Sequence, residues 1–545
     1  LGLIDTRYRC RIWYSRDLGR FEQLLAESWE RGLEKLILRL DMISKKHLPI
    51  LYFLLGFGLF MFTRLSKLVP FIAMAIVIAP IFILRFIRTQ PTKRGIWLTL
   101  LGFFLSMNIA LWGLFEFDDA WMTFAFGLIR STLLAIIWFL PFMLDRLLYP
   151  KFSNRDLGST LIFPTITTAI FFLSTLEGPF DDGSGTISSF GHGYGISELI
   201  QARSVFGVWI LVFIHSWLFS IVNYLWEHQF KWLKIKKTIL MYASVLVLTF
   251  VFGVVKTASP SSLESDTVKI AAVVLIPEDG KVIPMSEIFD SRKTSPFKQT
   301  LSRISRLTKK AVENGAKIVS FQEYAMVINK EEESSLREAY KGIAKENNVF
   351  LSITYAYFPK EGKGENKHLF INEKGEILLD YTKRYLLGLG PFGESGVFIK
   401  GPETIQSAET PYGKIGITIC RDMGFPSYVR QAAQNNVDIM LSPSYDWPKS
   451  PAAWYITSTI ENGFSFVRPT YNGYSYAADY HGNELAHMHA DQTEEGILYS
   501  DVPVHGIKVM YPIFGDLLGW LCVMAMLVLI GVGFFKKKQP IPSTT

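Results

Sequence analysis

Three residues in the second half of the chain have side chains suited to covalent chemistry, and each closes an apolar, strand-like run. Glu323 ends KIVSFQE (317–323), Lys383 ends the run LLDYTK, and Cys420 ends KIGITIC within KIGITICRDMGFP (414–426). A thiol at the end of a buried strand, followed by a turn that presents backbone N–H groups, suits attack on a carbonyl carbon. Taken singly, each has a plainer explanation: Cys420 a small buried hydrophobe, Glu323 a surface carboxylate, Lys383 a solvated lysine. Cys420 is the only cysteine between Cys10 and Cys522, so the chain's cysteines make no disulfide framework and the isolated thiol points to reactivity.

The elements that must position these residues alternate between strands and helices. VKIAAVVLI (268–276) predicts a buried strand. QTLSRISRLTKKAVENGA (299–316) spaces Leu301, Ile304, Leu307, Ala311 and Val312 on one helical face. A second helix (334–348) precedes the strand VFLSITYAYF (349–358). HLFINEKGEILLDYTK (368–383) reads as a hairpin turning at Gly375, and 405–420 as another turning at Tyr412 and Gly413. A helix near 426–435, the strand 437–444, a helix near 451–463 and further strands to about 504 complete the pattern. Layered sheets with helices outside follow, an α/β, α-β-β-α sandwich.

The rest of the 545 residues is of another kind. Apolar runs at 48–64, 70–87, 96–115, 121–144, 159–176, 204–226 and 238–256 predict seven membrane spans, and 513–535 predicts an eighth. The net charge of +7 sits beside these runs, which points to membrane topology and away from nucleic acid. Arg85, Arg88, Lys93 and Arg94, then Arg146, Lys151 and Arg155, then Lys231, Lys234, Lys236 and Lys237, and finally Lys536–Lys538 mark one side. Glu116, Asp118 and Asp119, with Glu177, Asp181 and Asp182, mark the other. The expected organisation is a cytoplasmic amphipathic segment (1–47), a multi-pass α-helical membrane domain (48–256), an extracytoplasmic α/β domain (257–512), a last span (513–535) and a cytoplasmic tail (536–545). No short apolar core with a small-residue cleavage site is read near residue 1, so no cleaved leader is expected.

Glu323, Lys383 and Cys420, in this order and with GKIGITICRDMGFP around the third, resemble the catalytic set of the nitrilase superfamily of carbon–nitrogen hydrolases, over residues 268–505. The membrane plan, together with PFGE at 391–394, resembles the apolipoprotein N-acyltransferase family, a membrane-embedded branch of that superfamily acting last in bacterial lipoprotein maturation. The resemblance implies a nitrilase-like fold, with Cys420 as nucleophile, Glu323 as base and acid, Lys383 as oxyanion partner together with the N–H after Cys420, and Glu394 as a second essential carboxylate. Asp422 has two readings, fixing Lys383 or the turn on one hand, capping the following helix on the other. YLLGLGPFG and GFPSYV are expected to line an acyl-chain entrance, with Gly388, Gly390 and Gly393 giving a lid its mobility, and the loop 446–455, with Trp447 and Trp454, reads either as membrane-facing or as a core-packed loop before a helix.

The implied partners are a phospholipid acyl donor, a diacylglyceryl apolipoprotein acceptor and membrane lipid, in the bacterial inner membrane. No zinc-type Cys/His spacing, P-loop or GxGxxG occurs, so no metal or cofactor is expected. Three motifs depart from the acyltransferase pattern: Cys420–Arg421–Asp422 stands for Cys-Tyr-Glu, PSYDWP for Asn-Asp-x-Trp-Phe, and LIPEDG follows the first strand without the usual Gln or Asn. The first is nearer to soluble amidases of the superfamily, so a membrane-anchored amidase, or transfer to another amine, stands as the alternative. A receptor or assembly factor on a retired scaffold is the non-enzymatic reading.

Overall fold

The computed structural model describes residues 47–64, 66–113, 120–152, 156–176, 197–258, 266–276, 285–290, 293–388, 393–446, 455–489 and 496–536. The expected amphipathic segment (1–46), the acidic loop residues at 116–119 and 177–182, Gly390, Trp447 and Trp454 lie outside the described residues.

Apolar helices occupy most of the described residues up to 258. Five described helices, Ala120–Phe152, Leu157–Ser174, Val208–Glu227, Trp232–Thr257 and Leu517–Phe535, are long and apolar enough to cross a membrane, by length and composition alone. The other three expected spans are shorter or less apolar. Leu48–Phe60 has 13 residues followed by a single 3-10 turn, Met61–Thr63. The second becomes helical only at Ala75, because the chain through Pro70 runs irregularly, and it ends at Thr89. Its 15 residues extend about 22 Å at 1.5 Å per residue, short of a hydrocarbon core of about 30 Å. The third, Thr92–Ala110, spends its first turn on Lys93 and Arg94.

Aromatic rings lock these helices together. Phe60 meets Trp138 at 4.9 Å, Trp138 meets Phe171 at 5.3 Å, and Phe142 meets Phe163 at 4.9 Å, all edge to face. The basic helix ends gather on one side: Arg88 holds Asp145 through two 2.8 Å bonds and lies 3.6 Å from Glu227, while Lys151 donates to the Gly533 carbonyl. The opposite ends of Val208–Glu227 and Leu517–Phe535 meet the α/β region. Trp209 Nε1 and Arg430 Nη1 both donate to Asp516 at 2.9 Å, and Met510 N–H donates to Ser204 O at 3.0 Å. Arg203 pairs with Glu461 at 2.8 Å, both nearly inaccessible to solvent. The α/β region is thus seated on the end of the bundle away from the basic end.

That region has thirteen strands among the described residues: β1 (Thr267–Val273), β2 (Ile318–Phe321), β3 (Val327–Asn329), β4 (Phe350–Phe358), β5 (Glu365–Ile371), β6 (Ile377–Thr382), β7 (Gln406–Thr410), β8 (Gly413–Ile417), β9 (Ile439–Leu441), β10 (Ser465–Arg468), β11 (Tyr474–Ala478), β12 (Glu484–His489) and β13 (Ile497–Pro503). One sheet runs β13-β1-β2-β4-β5-β6, with β3 on β4; the other runs β12-β11-β10-β9-β8-β7. β1, β2 and β4 pair in parallel, as do β8, β9 and β10. Parallel pairs need crossovers: the helices Phe297–Glu313, Glu333–Glu346 and Pro426–Gln434 lie in three of these four, and Thr457–Asn462 in the one from β9 to β10.

Inner-face residues of both sheets, including Ile270, Ile318, Phe370, Ile415, Ile439 and Val467, share one core. Ile304, Leu307 and Ala311 of the first helix pack on the outer face of the first sheet, and Tyr428, Val429 and Ala432 belong to the core outside the second. The layers are therefore α-β-β-α. Gly413 shows why the β7–β8 turn takes glycine: φ is +90°, and a Cβ there would come within 2.2 Å of the Val504 carbonyl oxygen.

The Arg203–Glu461 pair carries a stability prediction. Arg203→Met leaves a buried carboxylate unpaired and is expected to cost about 3–5 kcal/mol, whereas Arg203→Met with Glu461→Met recovers most of it. Thermal unfolding of the detergent-solubilised chain measures this; additive losses in the double variant would contradict it.

Candidate active site

The carboxyl ends of β2, β6, β8 and β9 converge between the layers. Glu323 lies two residues beyond β2, where Tyr324 turns the chain with φ +57°. Lys383 follows β6 directly, and its N–H donates to Asn366 O at 2.9 Å. Glu394 opens the short helix Glu394–Val397 after Gly393, whose φ is +74° and whose missing Cβ would stand 2.8 Å from the Leu387 carbonyl oxygen. All three charged side chains are 1% exposed.

Burial on this scale demands that every charge be paired. Lys383 Nζ lies 2.8 Å from Glu323 Oε1 and 2.6 Å from Glu394 Oε1. Asn366 Nδ2 donates to Glu323 Oε1 at 2.8 Å, and Tyr445 N–H donates to Glu323 Oε2 at 2.8 Å. Glu394 takes the Tyr324 hydroxyl on Oε1 and Leu387 N–H on Oε2 at 2.7 Å. Burial alone disfavours the Lys383 ammonium, but the two carboxylates more than reverse this and hold it well above the usual lysine range. Burial likewise raises Glu323, against the pull of Lys383 and with the push of Glu394.

Cys420 departs from the expected strand end. β8 stops at Ile417, and Cys420 begins a 3-10 turn, Cys420–Gly424, with φ +50°. A non-glycine residue in this region is strained and is held by its surroundings. Its N–H is taken by Pro443 O at 2.8 Å, and its half-buried sulfur lies 3.1 Å from Ser444 Oγ. The loop after β9 thus bridges the thiol, through Pro443 and Ser444, to Glu323, through Tyr445.

Asp422 makes no hydrogen bond to Lys383, and it does not cap the following helix, whose N-cap is Phe425. It fixes the turn. Its carboxylate accepts Ile419 N–H at 2.9 Å, Tyr385 N–H at 2.7 Å and the Tyr381 hydroxyl at 2.6 Å. Burial pushes it up to about 6 although these donors and Lys383 favour the charge. Tyr385 stacks on Phe425 at 3.6 Å, which fastens the Lys383 loop to the Cys420 turn.

The thiol is pushed up to about 12 by burial and by Glu323, against the opposing pull of Lys383 and Arg468. A free thiolate would add a negative charge to a site that already holds two carboxylates and one ammonium. Passing the thiol proton to Glu323 leaves the total charge unchanged, so the site favours proton transfer concerted with attack. An ammonium placed as that of Lys383 is chemically suited to meet a developing oxyanion.

Sequence reasoning missed Tyr324, Asn366, Ser444, Asp446 and Arg468. Arg468 carried a readable signal, a lone charge closing the apolar run FSFV (464–467). Asn366 carried none.

The carbon–nitrogen hydrolase family model matches residues 271–510. Deaminated glutathione amidase of Homo sapiens is 33% identical over 134 residues, 22% of this chain and 40% of that protein. Citrullinase of Francisella tularensis subsp. tularensis is 26% identical over 241 residues, 37% of this chain and 82% of that protein. The chain spans about two fifths of the length of the human relative and 60% of its Bos taurus counterpart. The crystal structure of an amidase from Nesterenkonia sp. covers 46% of this chain and 95% of its own, at 19% identity and a TM-score of 0.36. Residues 271–510 are a carbon–nitrogen hydrolase domain of the nitrilase superfamily, with a nitrilase-like α/β architecture.

Glu323→Gln leaves one oxygen where Tyr445 N–H and Lys383 now meet two, and it removes the carboxylate that would take the Cys420 proton if Glu323 is the base. Turnover of an activated acyl ester is expected to fall about 10²–10⁴-fold. The wild-type rate falls as pH drops through the Glu323 titration, which burial places above the ordinary glutamate value of about 4.3. An unchanged rate in Glu323→Gln would contradict the assignment.

Proposed function

We propose that the chain is a membrane acyltransferase of the carbon–nitrogen hydrolase type, working through a thioester on Cys420. The sulfur attacks the carbonyl carbon of a phospholipid acyl ester while its proton passes to Glu323. The oxyanion is met by the Lys383 ammonium and the N–H of Arg421. The ester C–O bond breaks, and the Glu323 carboxylic acid returns the proton to the departing lysophospholipid oxygen. An amine then attacks the thioester, loses its proton to Glu323, and leaves as an amide as the C–S bond breaks and the thiolate recovers the proton. The proposed acceptor is the N-terminal amine of a diacylglyceryl cysteine on an apolipoprotein.

The observation that carries this reading is the seat of the domain. It rests on the ends of two apolar helices whose other ends lie among Arg88, Lys151 and Lys536. Basic ends favour the cytoplasmic side, so the domain is proposed to stand outside the inner membrane, at the height where acyl esters lie. The Lys383 side chain, ionised between two carboxylates, suits an oxyanion from an ester or an amide equally.

The second reading is amide hydrolysis, with water in place of the amine. The Cys420–Arg421–Asp422 turn and the amidase names of the relatives favour it. Incubation with phospholipid and a diacylglyceryl-cysteine peptide separates the two. Transfer predicts N-acylated peptide that disappears in Cys420→Ala; no N-acylated peptide, with ammonia released when a simple primary amide is added instead, would overturn it in favour of amide hydrolysis.

A further inference from the structure

Behind the nucleophile lies a second polar cluster that the proton path does not use. Arg468, at the end of β10, is 1% exposed, and its guanidinium donates to Ser444 Oγ at 2.7 Å and to Asp446 Oδ1 at 2.8 Å. It also reaches Asp446 Oδ2 at 3.3 Å and the Cys420 carbonyl oxygen at 3.4 Å. Ser444 is fully buried, and its backbone is fixed on both sides: its N–H donates to Pro469 O and its carbonyl accepts Tyr471 N–H, each at 2.9 Å. The Ser444 hydroxyl therefore stays where it is, 2.7 Å from Asp446 Oδ1 and 3.1 Å from Cys420 Sγ.

A hydroxyl has one hydrogen and two acceptors compete for it. While Cys420 is a thiol, the Asp446 carboxylate is the stronger acceptor and takes the bond. When the sulfur becomes an anion, the hydrogen can turn to it, because the two Arg468 bonds still satisfy Asp446. We propose that Ser444 is a further catalytic residue, a switchable hydrogen-bond donor to Cys420 Sγ, with Arg468 and Asp446 as the positioning residues that hold it. The donor acts twice, when the thiolate character develops in the attack and when the thiolate leaves as the thioester breaks. Hydrogen bonds to charged groups are about twice as strong as neutral ones, so the switch stabilises the anion more than the thiol.

This inference rests on Cys420 being the nucleophile of the proposed acyl transfer, but its test needs no acyl substrate. The rate of iodoacetamide alkylation of Cys420 is measured at one fixed, mildly alkaline pH, far below the thiol's titration, by peptide mass spectrometry, which separates Cys420 from Cys10 and Cys522. Ser444→Ala is expected to slow this alkylation about tenfold, the equivalent of about one pH unit in thiolate stability. Ser444→Thr, which keeps the hydroxyl, is expected to restore the rate. Arg468→Lys keeps the charge but loses the fork that holds Ser444, so its rate also falls. Thermal unfolding identifies any variant that does not fold, and the remaining ones decide. Unchanged rates in the folded Ser444→Ala or Arg468→Lys proteins would overturn the proposal. A slowed alkylation, restored in Ser444→Thr, in a protein that forms no N-acyl product would sustain the role of Ser444 and sink the acyl-transfer reading.

Discussion

Lys383 is held between Glu323 and Glu394 in a space that solvent scarcely reaches, and the rest of the site is arranged around that ion cluster. Two carboxylates and one ammonium leave one net negative charge in the interior. Bringing such groups out of water costs several kcal/mol per ion, and direct pairing offsets this only when the remaining lone pairs are also satisfied. Asn366, Tyr324, Leu387 N–H and Tyr445 N–H satisfy them. Tyr324, Asn366 and Leu387 belong to the first sheet and its loops, while Tyr445 follows β9 of the second, so the last lone pairs are satisfied only when both sheets are stacked. Chemistry and fold are coupled at this point.

Burial decides how the thiol can react. It opposes a standing thiolate, the Glu323 and Asp446 carboxylates add to it against Lys383 and Arg468, and the thiol is pushed up to about 12. In the proposed mechanism, nucleophilic power then appears only as the proton departs to Glu323. The Cys420 turn is built to hold that geometry: a left-handed residue, its N–H bound to Pro443 O, with Asp422 fastening the turn to Tyr385 and Tyr381.

Much of the domain was legible in the sequence because its signals are periodic. The helix face of Ile304, Leu307 and Ala311, the turns at Gly375 and Gly413, and the wholly buried run from Phe350 to Phe358 follow from alternation and spacing. The convergence of Glu323, Lys383 and Glu394 depends on strand order, which periodicity does not encode; the family resemblance supplied it. Ser444 and Asn366 are small polar residues whose meaning lies in what stands across from them, and no local pattern announces that. Asp422 had two local readings, and the tertiary partners Tyr381 and Tyr385 select the turn. The short helices Leu48–Phe60 and Ala75–Thr89 show the converse case: hydropathy reads the apolar run, while the irregular chain around Pro70 sets how much of it becomes helix.

The proposed mechanism requires Cys420 to carry an acyl group taken from a lipid. Intact-mass and peptide-level mass spectrometry of the purified chain, after incubation with a phospholipid bearing an isotopically labelled acyl chain and no amine acceptor, tests it directly. The account predicts a hydroxylamine-labile labelled acyl adduct on the Cys420 peptide, absent in Cys420→Ala. A catalytically active chain with no adduct on Cys420, and equal activity in Cys420→Ala, would contradict it.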